Sequence, residues 1–260
     1  FKQKQFDPQY ASALTPKQNE SASSVHVSRV LEQVDLELIR QRRFRVVVDG
    51  VHGAGGQETA LLMEALGVDL VHLYGEPTGC FPHRPEPVEA NLKDLCGKVL
   101  EHGAEIGFAQ DPDADRLAVV DETGRYIGEE YTLALSAMHL FDRAKLKGAS
   151  VVANLSTSRM IDDVARMAGA SVLRCPVGEA NVVAAMRSCG AVIGGEGNGG
   201  VILPEVIFIR DSLVAIALVL EMLAGAGKPL SQVMARIPAY CIIKDQLAMD
   251  SSVADRMAPA

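Results

Sequence analysis

Three aspartates at alternate positions form the part of the sequence best suited to chemistry. They are Asp111, Asp113 and Asp115 of the hexamer Asp-Pro-Asp-Ala-Asp-Arg, which ends with Arg116. Short apolar runs precede and follow the hexamer, and their length is typical of strands. In an extended segment alternate side chains point the same way, so the carboxylates can converge on one point. The sequence therefore predicts a cluster of negative charge between two strands.

The chemistry expected of this cluster is the binding of a hard metal ion. Carboxylates this close repel one another and would take up protons near neutral pH unless a cation lies among them. Oxygen ligands without His or Cys favour Mg²⁺, Ca²⁺ or Mn²⁺ over Zn²⁺. Arg116 adds a planar set of donors that suits a phosphate group. A metal beside an arginine indicates phosphoryl chemistry.

Two other interpretations of the hexamer are a solvated acidic turn and an EF-hand. The aspartates and Glu122 match the first, third, fifth and twelfth positions of an EF-hand loop. However, the sixth position should be Gly and is Arg116, and helices rather than strands should flank the loop. The EF-hand interpretation therefore fails in detail, and the solvated turn remains the simple alternative.

A second informative loop is the glycine-rich stretch Gly-Gly-Glu-Gly-Asn-Gly-Gly at 194–200. Glycine lets the backbone take unusual conformations and lets a ligand approach closely. Glu196 and Asn198 carry the loop's longer side chains, and a carboxylate beside an amide suits the adjacent hydroxyls of a sugar. The alternative is a tight hairpin whose polar side chains face water.

A third glycine-rich stretch, at 49–56, lies between a predicted strand and a predicted helix. Its spacing does not match the dinucleotide fingerprint GxGxxG, and no acidic residue ends the next strand. We interpret it as a packing turn. The histidines are scattered along the chain, so the sequence predicts no histidine metal cluster.

Composition narrows the class of protein. The chain has 260 residues, 48% of them hydrophobic, which is enough for two ordinary domains. A net charge of −8 and a pI near 5.3 argue against nucleic acid as a partner. The longest apolar helix, predicted at 213–223, is shorter than the roughly 20 residues that a bilayer needs, so no membrane association is expected. We predict a buried helix there.

The cysteines indicate the redox environment. There are 5, and none forms a CxxC pair, which fits reduced thiols in a cytoplasm. We predict that they are core residues and that the protein is cytoplasmic.

Strands and helices alternate along most of the chain, which predicts the α/β class. Residues 1–24 are polar and without periodicity and are predicted to be an arm or linker. A helix is predicted from about Val25 to Arg40, opening a first domain at 25–128. The same alternation then repeats in a second domain at 129–240. Residues 241–260 are predicted to be a further linker.

Taken together, the two loops resemble the α-D-phosphohexomutases, the family that contains phosphoglucomutase, phosphomannomutase and phosphoglucosamine mutase. The resemblance rests on DPDADR followed by VVDETGRYIG, and on GGEGNGG ahead of RDS and a long helix. VVVDGVHGAGG, FPHRPEPVEANL, NLSTSRMIDDVA and PVGEANVV support it in the expected order. It covers roughly residues 25–245. It implies the second and third of four domains, as two consecutive three-layer α/β/α domains with mixed sheets.

The resemblance also implies an activity. Family members move phosphate reversibly between the sugar 1-position and 6-position (5-position for pentoses), through an enzyme phosphoserine and a sugar bisphosphate. By motif, Asp111, Asp113 and Asp115 would bind Mg²⁺, and Arg116 would be a catalytic residue next to the reacting phosphate. Glu196 and Asn198 would contact hydroxyls of the phosphosugar substrate. A metal that neutralises charge on the transferred group is consistent with this chemistry.

The departures from the family pattern are equally informative. The family's phosphoserine lies in a TASHN-type loop, and no such string occurs in this chain. Ser156 and Ser158 are predicted to be helix caps and not nucleophiles. The loop of the fourth domain that grips the non-reacting phosphate is also missing, so this chain alone is expected to be an inactive fragment. Asn198 and Glu179 resemble the phosphoglucosamine or archaeal-type branch.

Two rival functions remain open at this point. A haloacid-dehalogenase-type phosphatase would use Asp111 as nucleophile and Asp113 as acid or base, but it would have Thr or Val at position 115. The other rival is a non-catalytic module, derived from a mutase, that binds a sugar phosphate or a metal. A longer parent chain with a serine loop would dismiss this second rival.

Overall fold

The computed structural model describes residues 19, 21–144 and 148–240, which form two consecutive α/β units. The first unit has a four-stranded sheet with the order β2-β1-β3-β4. Strand β1 runs parallel to both of its neighbours, and β4 runs antiparallel to β3. Its elements in chain order are α1 (Ala22–Leu31), α2 (Leu36–Arg42), β1 (Arg45–Asp49), α3 (Gly56–Ala65), β2 (Asp69–Leu73), α4 (Lys93–His102), β3 (Ile106–Gln110) and β4 (Leu117–Asp121). A short 3₁₀ turn, Glu89–Asn91, precedes α4.

The second unit repeats this arrangement, with the strand order β6-β5-β7-β8 and an antiparallel last strand. Its elements are α5 (Glu130–Ala144), β5 (Ser150–Asn154), α6 (Met160–Ala168), β6 (Ser171–Cys175), α7 (Glu179–Cys189), β7 (Ile193–Glu196), β8 (Gly200–Ile202), α8 (Ser212–Ala226) and α9 (Leu230–Met234). The prediction of two α/β/α units with mixed sheets is therefore confirmed. In each unit the chemically interesting loop connects the antiparallel pair.

The layers follow from strand periodicity, since alternate residues of a strand face opposite sides. Val46 and Val48 of β1 belong to a large core, whereas Val47 packs with α4 in a smaller one. Val152 of β5 likewise packs with α7 on the outer side of its sheet. The large core contains residues from both sheets and from the helices between them, so the two units share one hydrophobic interior.

Helix α8 joins the two units. All its residues from Ser212 to Ala224 are buried, which confirms the prediction of a buried apolar helix. It packs against α5 of its own unit and against α1 and α2 of the first unit. A helix that is apolar all round belongs in the interior of a protein.

Among the described residues, no helix has both the length and the apolar character that a membrane span requires.

Two predictions about local structure are wrong. The single helix predicted from Val25 to Arg40 is two helices, and the first begins at Ala22, inside the stretch predicted to be an arm. The break occurs because Asp35 caps α2: its side chain accepts a hydrogen bond from the amide of Leu38 at 3.0 Å. The second error concerns the cysteines, since Cys80 and Cys189 are exposed.

The physical reasons for the cysteine positions differ. Cys80 lies in the turn-rich stretch after β2, and Cys189 is the last residue of α7. Cys175 is buried and Cys96 is partly buried, so the prediction holds for these two only. Cys241 lies outside the described residues.

One charged residue of α8 is part of the interior. Glu221 is 2% exposed and accepts hydrogen bonds from His139 at 2.6 Å, from Arg143 at 2.8 Å and from the amide of Asp35 at 2.9 Å. Burial would raise the pKa of Glu221, but the hydrogen bonds from His139 and the Asp35 amide outweigh it and hold the pKa below 4.5. This carboxylate ties α8 to α5 and to the start of α2.

We expect Glu221→Gln to lower the free energy of unfolding at pH 7 by about 2 kcal/mol, because charged hydrogen bonds are lost while solvent still reaches Arg143. A carboxyl whose folded pKa is depressed stabilises the protein above its unfolded pKa, and this contribution is lost as pH falls through the folded pKa. The difference between wild type and variant should therefore shrink below about pH 4.5. Urea unfolding from pH 7 to pH 3 measures it.

The matched control for this prediction is Glu37→Gln, since Glu37 is exposed and forms only a surface ion pair with Arg40. It should leave stability nearly unchanged at every pH. A Glu221→Gln effect that does not diminish in acid would contradict the assignment of a stabilising carboxylate.

Candidate active site

The aspartate loop, residues 111–116, begins where β3 ends and is folded around Asp111. The carboxylate of Asp111 is 2% exposed. One of its oxygens accepts hydrogen bonds from the amides of Asp115 at 3.1 Å and Arg116 at 3.0 Å, and the other accepts one from Nε of Arg116 at 2.6 Å. Asp111 therefore fixes the backbone of its own loop and the side chain of Arg116. The solvated-turn interpretation is wrong for this residue.

The three aspartates converge as predicted, but not through an extended backbone, since residues 112–113 form a turn and Ala114 has a φ of +59°. One carboxylate oxygen from each lies within 4.8 Å of those of the other two. Asp111 is buried, Asp115 is partly buried and Asp113 is exposed, so the cluster opens towards solvent on one side. Strands flank the loop, and this excludes the EF-hand. No other group of three or more potential metal ligands occurs among the described residues.

The electrostatics of this cluster fit a hard cation. Burial of its carboxyl, together with the charge of Asp111, raises the pKa of Asp115 to about 7. A divalent cation among the carboxylates would relieve this repulsion. The all-oxygen donor set is suited to Mg²⁺ or Mn²⁺.

The glycine turn after β1 packs directly against the aspartate loop. The amide of Ala54 donates a hydrogen bond to the carbonyl of Pro112 at 2.7 Å. A Cβ on Gly53 would lie 2.5 Å from the same carbonyl oxygen, and a Cβ on Gly55 would lie 2.5 Å from the Cβ of Ala114. These glycines are required because two backbones approach closely. The interpretation of this stretch as a packing turn is confirmed.

The second loop, between β7 and β8, is organised by Glu196. This carboxylate is 4% exposed and accepts hydrogen bonds from Nδ2 of Asn154 at 2.6 Å and from the amide of Gly178 at 3.0 Å. Nδ2 of Asn198 lies 3.4 Å from its other oxygen, and the amide of Gly197 donates to Thr157 at 3.0 Å. Glu196 does not face water, so the interpretation as a plain hairpin is wrong for it. Asn198 is partly exposed.

The two loops touch each other. The amide of Leu117, at the end of the aspartate loop, donates to the carbonyl of Gly199 at 3.0 Å. Gly199 has a φ of +90°, and a Cβ there would collide with the carbonyl oxygen of Leu117. On the other side of the aspartate loop, the hydroxyl of Ser212 donates to the carbonyl of Ala114 at 2.6 Å. The loops of two separate sheets thus form one continuous site.

Sequence reasoning missed the residue that bridges the loops through its side chain. Arg210 precedes α8 and is 18% exposed. Its Nη2 bonds to Oδ2 of Asp115, its Nη1 donates to Glu196 at 2.8 Å, and its Nε donates to Glu179 at 3.2 Å. The only signal in the sequence was the RDS motif ahead of the long helix. Arg116, in contrast, lies beside the aspartates as predicted.

A cavity of about 320 Å³ adjoins the site. Asp113 of the aspartate loop and Arg210 line it, together with Gly55 of the packing turn. His26 and Asp211, which form an ion pair at 2.8 Å, line it as well. Asp113 and Ala114 of the aspartate loop therefore line an open cavity and are not enclosed in the packed core.

Comparison with known proteins accounts for both units. Residues 24–124 match the model of phosphoglucomutase/phosphomannomutase α/β/α domain II, and residues 128–240 match that of domain III. The chain belongs to the phosphoglucomutase/phosphomannomutase family. The predicted resemblance is confirmed, and it argues against a haloacid-dehalogenase-type phosphatase.

Individual phosphoglucomutase/phosphomannomutase relatives agree with this assignment. A phosphoglucomutase/phosphomannomutase of Thermococcus kodakarensis is 39% identical over 216 residues, which is 83% of this chain and 47% of the relative. A probable phosphoglucosamine mutase of Methanopyrus kandleri is 37% identical over 229 residues, 87% of this chain and 49% of the relative. The chain therefore spans about half the length of these curated relatives.

A solved structure of the phosphoglucomutase/phosphomannomutase family also superimposes on the chain. It is a family protein from Burkholderia thailandensis, with a TM-score of 0.76 and 32% sequence identity. The match covers 86% of this chain and 48% of that protein. As in the sequence comparison, it extends over both α/β units and about half of the relative.

The serines of the second unit contribute to structure in this family member. Oγ of Ser158 accepts a hydrogen bond from the amide of Met160 at 3.2 Å, at the start of α6. Oγ of Ser156 donates to Asn154 at 2.9 Å. The N-cap position of α6 is Arg159 and has no side-chain cap, so the prediction that Ser156 and Ser158 are helix caps is wrong. Ser158 bonds to the first turn of α6, and Ser156 supports the residue that holds Glu196.

Proposed function

We propose that this chain is the metal-binding and sugar-binding centre of a phosphohexomutase, which interconverts sugar 1-phosphates and 6-phosphates. The observation that carries the proposal is the direct contact between the aspartate loop and the glycine-rich loop at 194–200, which we call the sugar loop. In this contact the amide of Leu117 donates a hydrogen bond to the carbonyl of Gly199. A phosphoryl group held at the metal would thus lie close to the sugar that gives or receives it. Proximity of this kind supplies much of the rate enhancement in phosphoryl transfer.

Each residue has a defined role in this proposal. Asp111, Asp113 and Asp115 hold Mg²⁺, and the metal, when bound, neutralises charge on the transferred phosphoryl group. Arg116, anchored by Asp111, presents its guanidinium to the reacting phosphate. Asn198 donates to and accepts from sugar hydroxyls. Glu196 was expected to contact the sugar as well, but its oxygens already accept from Asn154, Gly178 and Arg210, so its proposed role is to set the position of Asn198.

The remaining parts of the reaction are proposed to lie outside this chain. The sequence has no TASHN-type serine loop, so the phosphoserine that exchanges phosphate with a sugar bisphosphate would be supplied elsewhere. The isolated chain is accordingly proposed to bind metal weakly and to be inactive as a mutase. A cytoplasmic location also stays a prediction.

Calorimetric titration with Mg²⁺ tests the metal site. Asp113→Ala should weaken Mg²⁺ binding by at least about tenfold, because one of three charged ligands is lost. The exposure of Asp113 means that the melting temperature should hardly change. Asp142→Ala, which removes another exposed aspartate far from the loop, is the matched control and should bind Mg²⁺ as wild type does. Equal affinity in all three proteins would refute the site.

A mutase assay tests the activity. Conversion of glucose 1-phosphate to glucose 6-phosphate should be undetectable with this chain and present with a longer parent chain that carries a serine loop. Introducing Asp113→Ala into that parent should abolish turnover. Turnover by the chain on its own would overturn the proposal that the nucleophile lies elsewhere.

A further inference from the structure

Arg210 occupies a position between the two loops that the proposed reaction does not by itself explain. Three carboxylates from three separate segments surround its guanidinium: Asp115 from the aspartate loop, Glu196 from the sugar loop and Glu179 from the start of α7. A different guanidinium nitrogen bonds to each carboxylate. Because the guanidinium is planar and rigid, these bonds fix the position of Asp115 relative to Glu196.

The surroundings are built to hold Arg210 in place. A Cβ on Gly200 would collide with Cδ of Arg210, so the glycine leaves room for the arginine's aliphatic part. The amide of Arg210 donates to Glu179 at 3.0 Å. The next two residues are anchored as well: the amide of Asp211 donates to Val201 at 2.8 Å and that of Ser212 to Ala114 at 3.2 Å. The backbone of this segment is thus tied to the aspartate loop and to strand β8, which follows the sugar loop.

From this arrangement we infer that Arg210 is a positioning residue, which orients Asp115 as a metal ligand and links metal binding to the carboxylate of Glu196. The inference rests on the proposed function, since it assumes a metal at the aspartate loop. Arg210 bonds to Oδ2 of Asp115 and thereby fixes the direction of Oδ1. Removing the hydrogen-bond partner of a metal ligand commonly weakens metal binding roughly tenfold to a hundredfold.

A different role would be that of a simple counter-charge, and the two roles predict opposite signs. A counter-charge competes with the metal for Asp115, so its removal would tighten metal binding. A positioning residue holds the ligand ready, so its removal weakens binding. The effect of substitution on metal affinity therefore distinguishes them.

The experiment is a titration of the complete chain with Mn²⁺, followed by electron paramagnetic resonance of the free ion. Arg210→Met should weaken Mn²⁺ binding by about tenfold to a hundredfold. Arg210→Lys should restore little of this, because an ammonium group cannot bond to three carboxylates in one plane. Unchanged or tighter binding in Arg210→Met would overturn the inference.

The matched control is Arg174→Met. Arg174 is also a partly buried arginine of the second unit. It pairs with Asp162 at 2.6 Å and donates to the carbonyls of Asn154, Thr157 and Ser158, but it bonds neither to Glu196 nor to an aspartate of the metal cluster. This variant loses the same charge and a comparable ion pair, so it should bind Mn²⁺ as wild type does. An equal loss of affinity in both arginine variants would point to a general effect of charge or stability and would contradict positioning.

The link to the sugar loop needs its own measurement. The amide of Gly178 donates to Glu196 and reports on that carboxylate by NMR. Addition of Mg²⁺ should shift this amide signal in wild type and leave it unmoved in Arg210→Met at metal saturation. A shift of the same size in both proteins would show that the link does not pass through Arg210.

Failure of the inference and failure of the proposed function give different results. If Asp113→Ala weakens Mn²⁺ binding while Arg210→Met leaves it intact, the metal site stands and the positioning role is refuted. If the wild-type chain binds no Mn²⁺, the metal site itself is refuted, and the inference with it.

Discussion

Replacing Asp111 with asparagine is expected to lower the free energy of unfolding by roughly 3 kcal/mol and to abolish metal binding. The carboxylate is buried and accepts hydrogen bonds from two amides and from Nε of Arg116. Asparagine keeps only one acceptor oxygen, and its amino group would face one of these donors. Urea unfolding and Mn²⁺ titration of the same preparation measure both effects.

The comparison with Asp113→Asn separates the two roles that we assign to this cluster. Asp113 is exposed, so its substitution should weaken metal binding by at least about tenfold without a measurable change in unfolding. Asp111 should differ because it organises the loop as well as binding the metal. Equal destabilisation by the two substitutions would contradict the view that Asp111 is the structural centre of the loop.

Much of the site could be predicted because its pattern is local. The spacing of Asp111, Asp113 and Asp115 between two apolar runs already indicates a shared loop between strands, although a turn with Ala114 at a φ of +59°, and not an extended backbone, brings the carboxylates together. The apolar helix α8 could likewise be predicted from composition within a short window. For these elements tertiary structure reinforces a preference that the local sequence already has.

The features that could not be predicted depend on contacts between distant residues. Arg210 meets Asp115 across 95 positions of the chain, and no local pattern encodes this distance. The break between α1 and α2 has a local cause, since the side chain of Asp35 caps α2. It also has a distant one, because the amide of Asp35 donates to Glu221, 186 positions away. Cys189 lies on the same face of α7 as the buried Val182 and Met186, and it is exposed because it is the last residue of the helix. Local sequence therefore predicted the loops but not their connection.

The repeated topology explains why two loops distant in sequence form one site. Each sheet ends in an antiparallel pair, and the loop of that pair lies at the same relative position in both units. Helix α8 packs against helices of both units and belongs to the shared core. The segment just before α8 therefore lies where the loops meet, and Arg210 belongs to it. Packing of the core thus determines the geometry of the site.

Substitution of Gly199 by alanine is expected to separate the loops, with a loss of roughly 3 kcal/mol in the free energy of unfolding. Two costs add. The φ of +90° is unfavourable for a residue with a Cβ, and that Cβ would collide with the carbonyl oxygen of Leu117. The hydrogen bond from the amide of Leu117 should break as the loops move apart. Urea unfolding and hydrogen exchange at the Leu117 amide measure the two consequences.

Gly190→Ala is the control that isolates the contact between the loops. Gly190, which caps α7, also has a positive φ, of +66°, but a Cβ there would meet nothing within 4 Å. It should therefore show the conformational cost alone, about 1 kcal/mol, and leave exchange at Leu117 unchanged. Because the aspartate loop would lose its support from the sugar loop only in Gly199→Ala, only that variant should also bind Mn²⁺ more weakly. If both variants bind Mn²⁺ equally well, the contact between the loops is not what prepares the metal site.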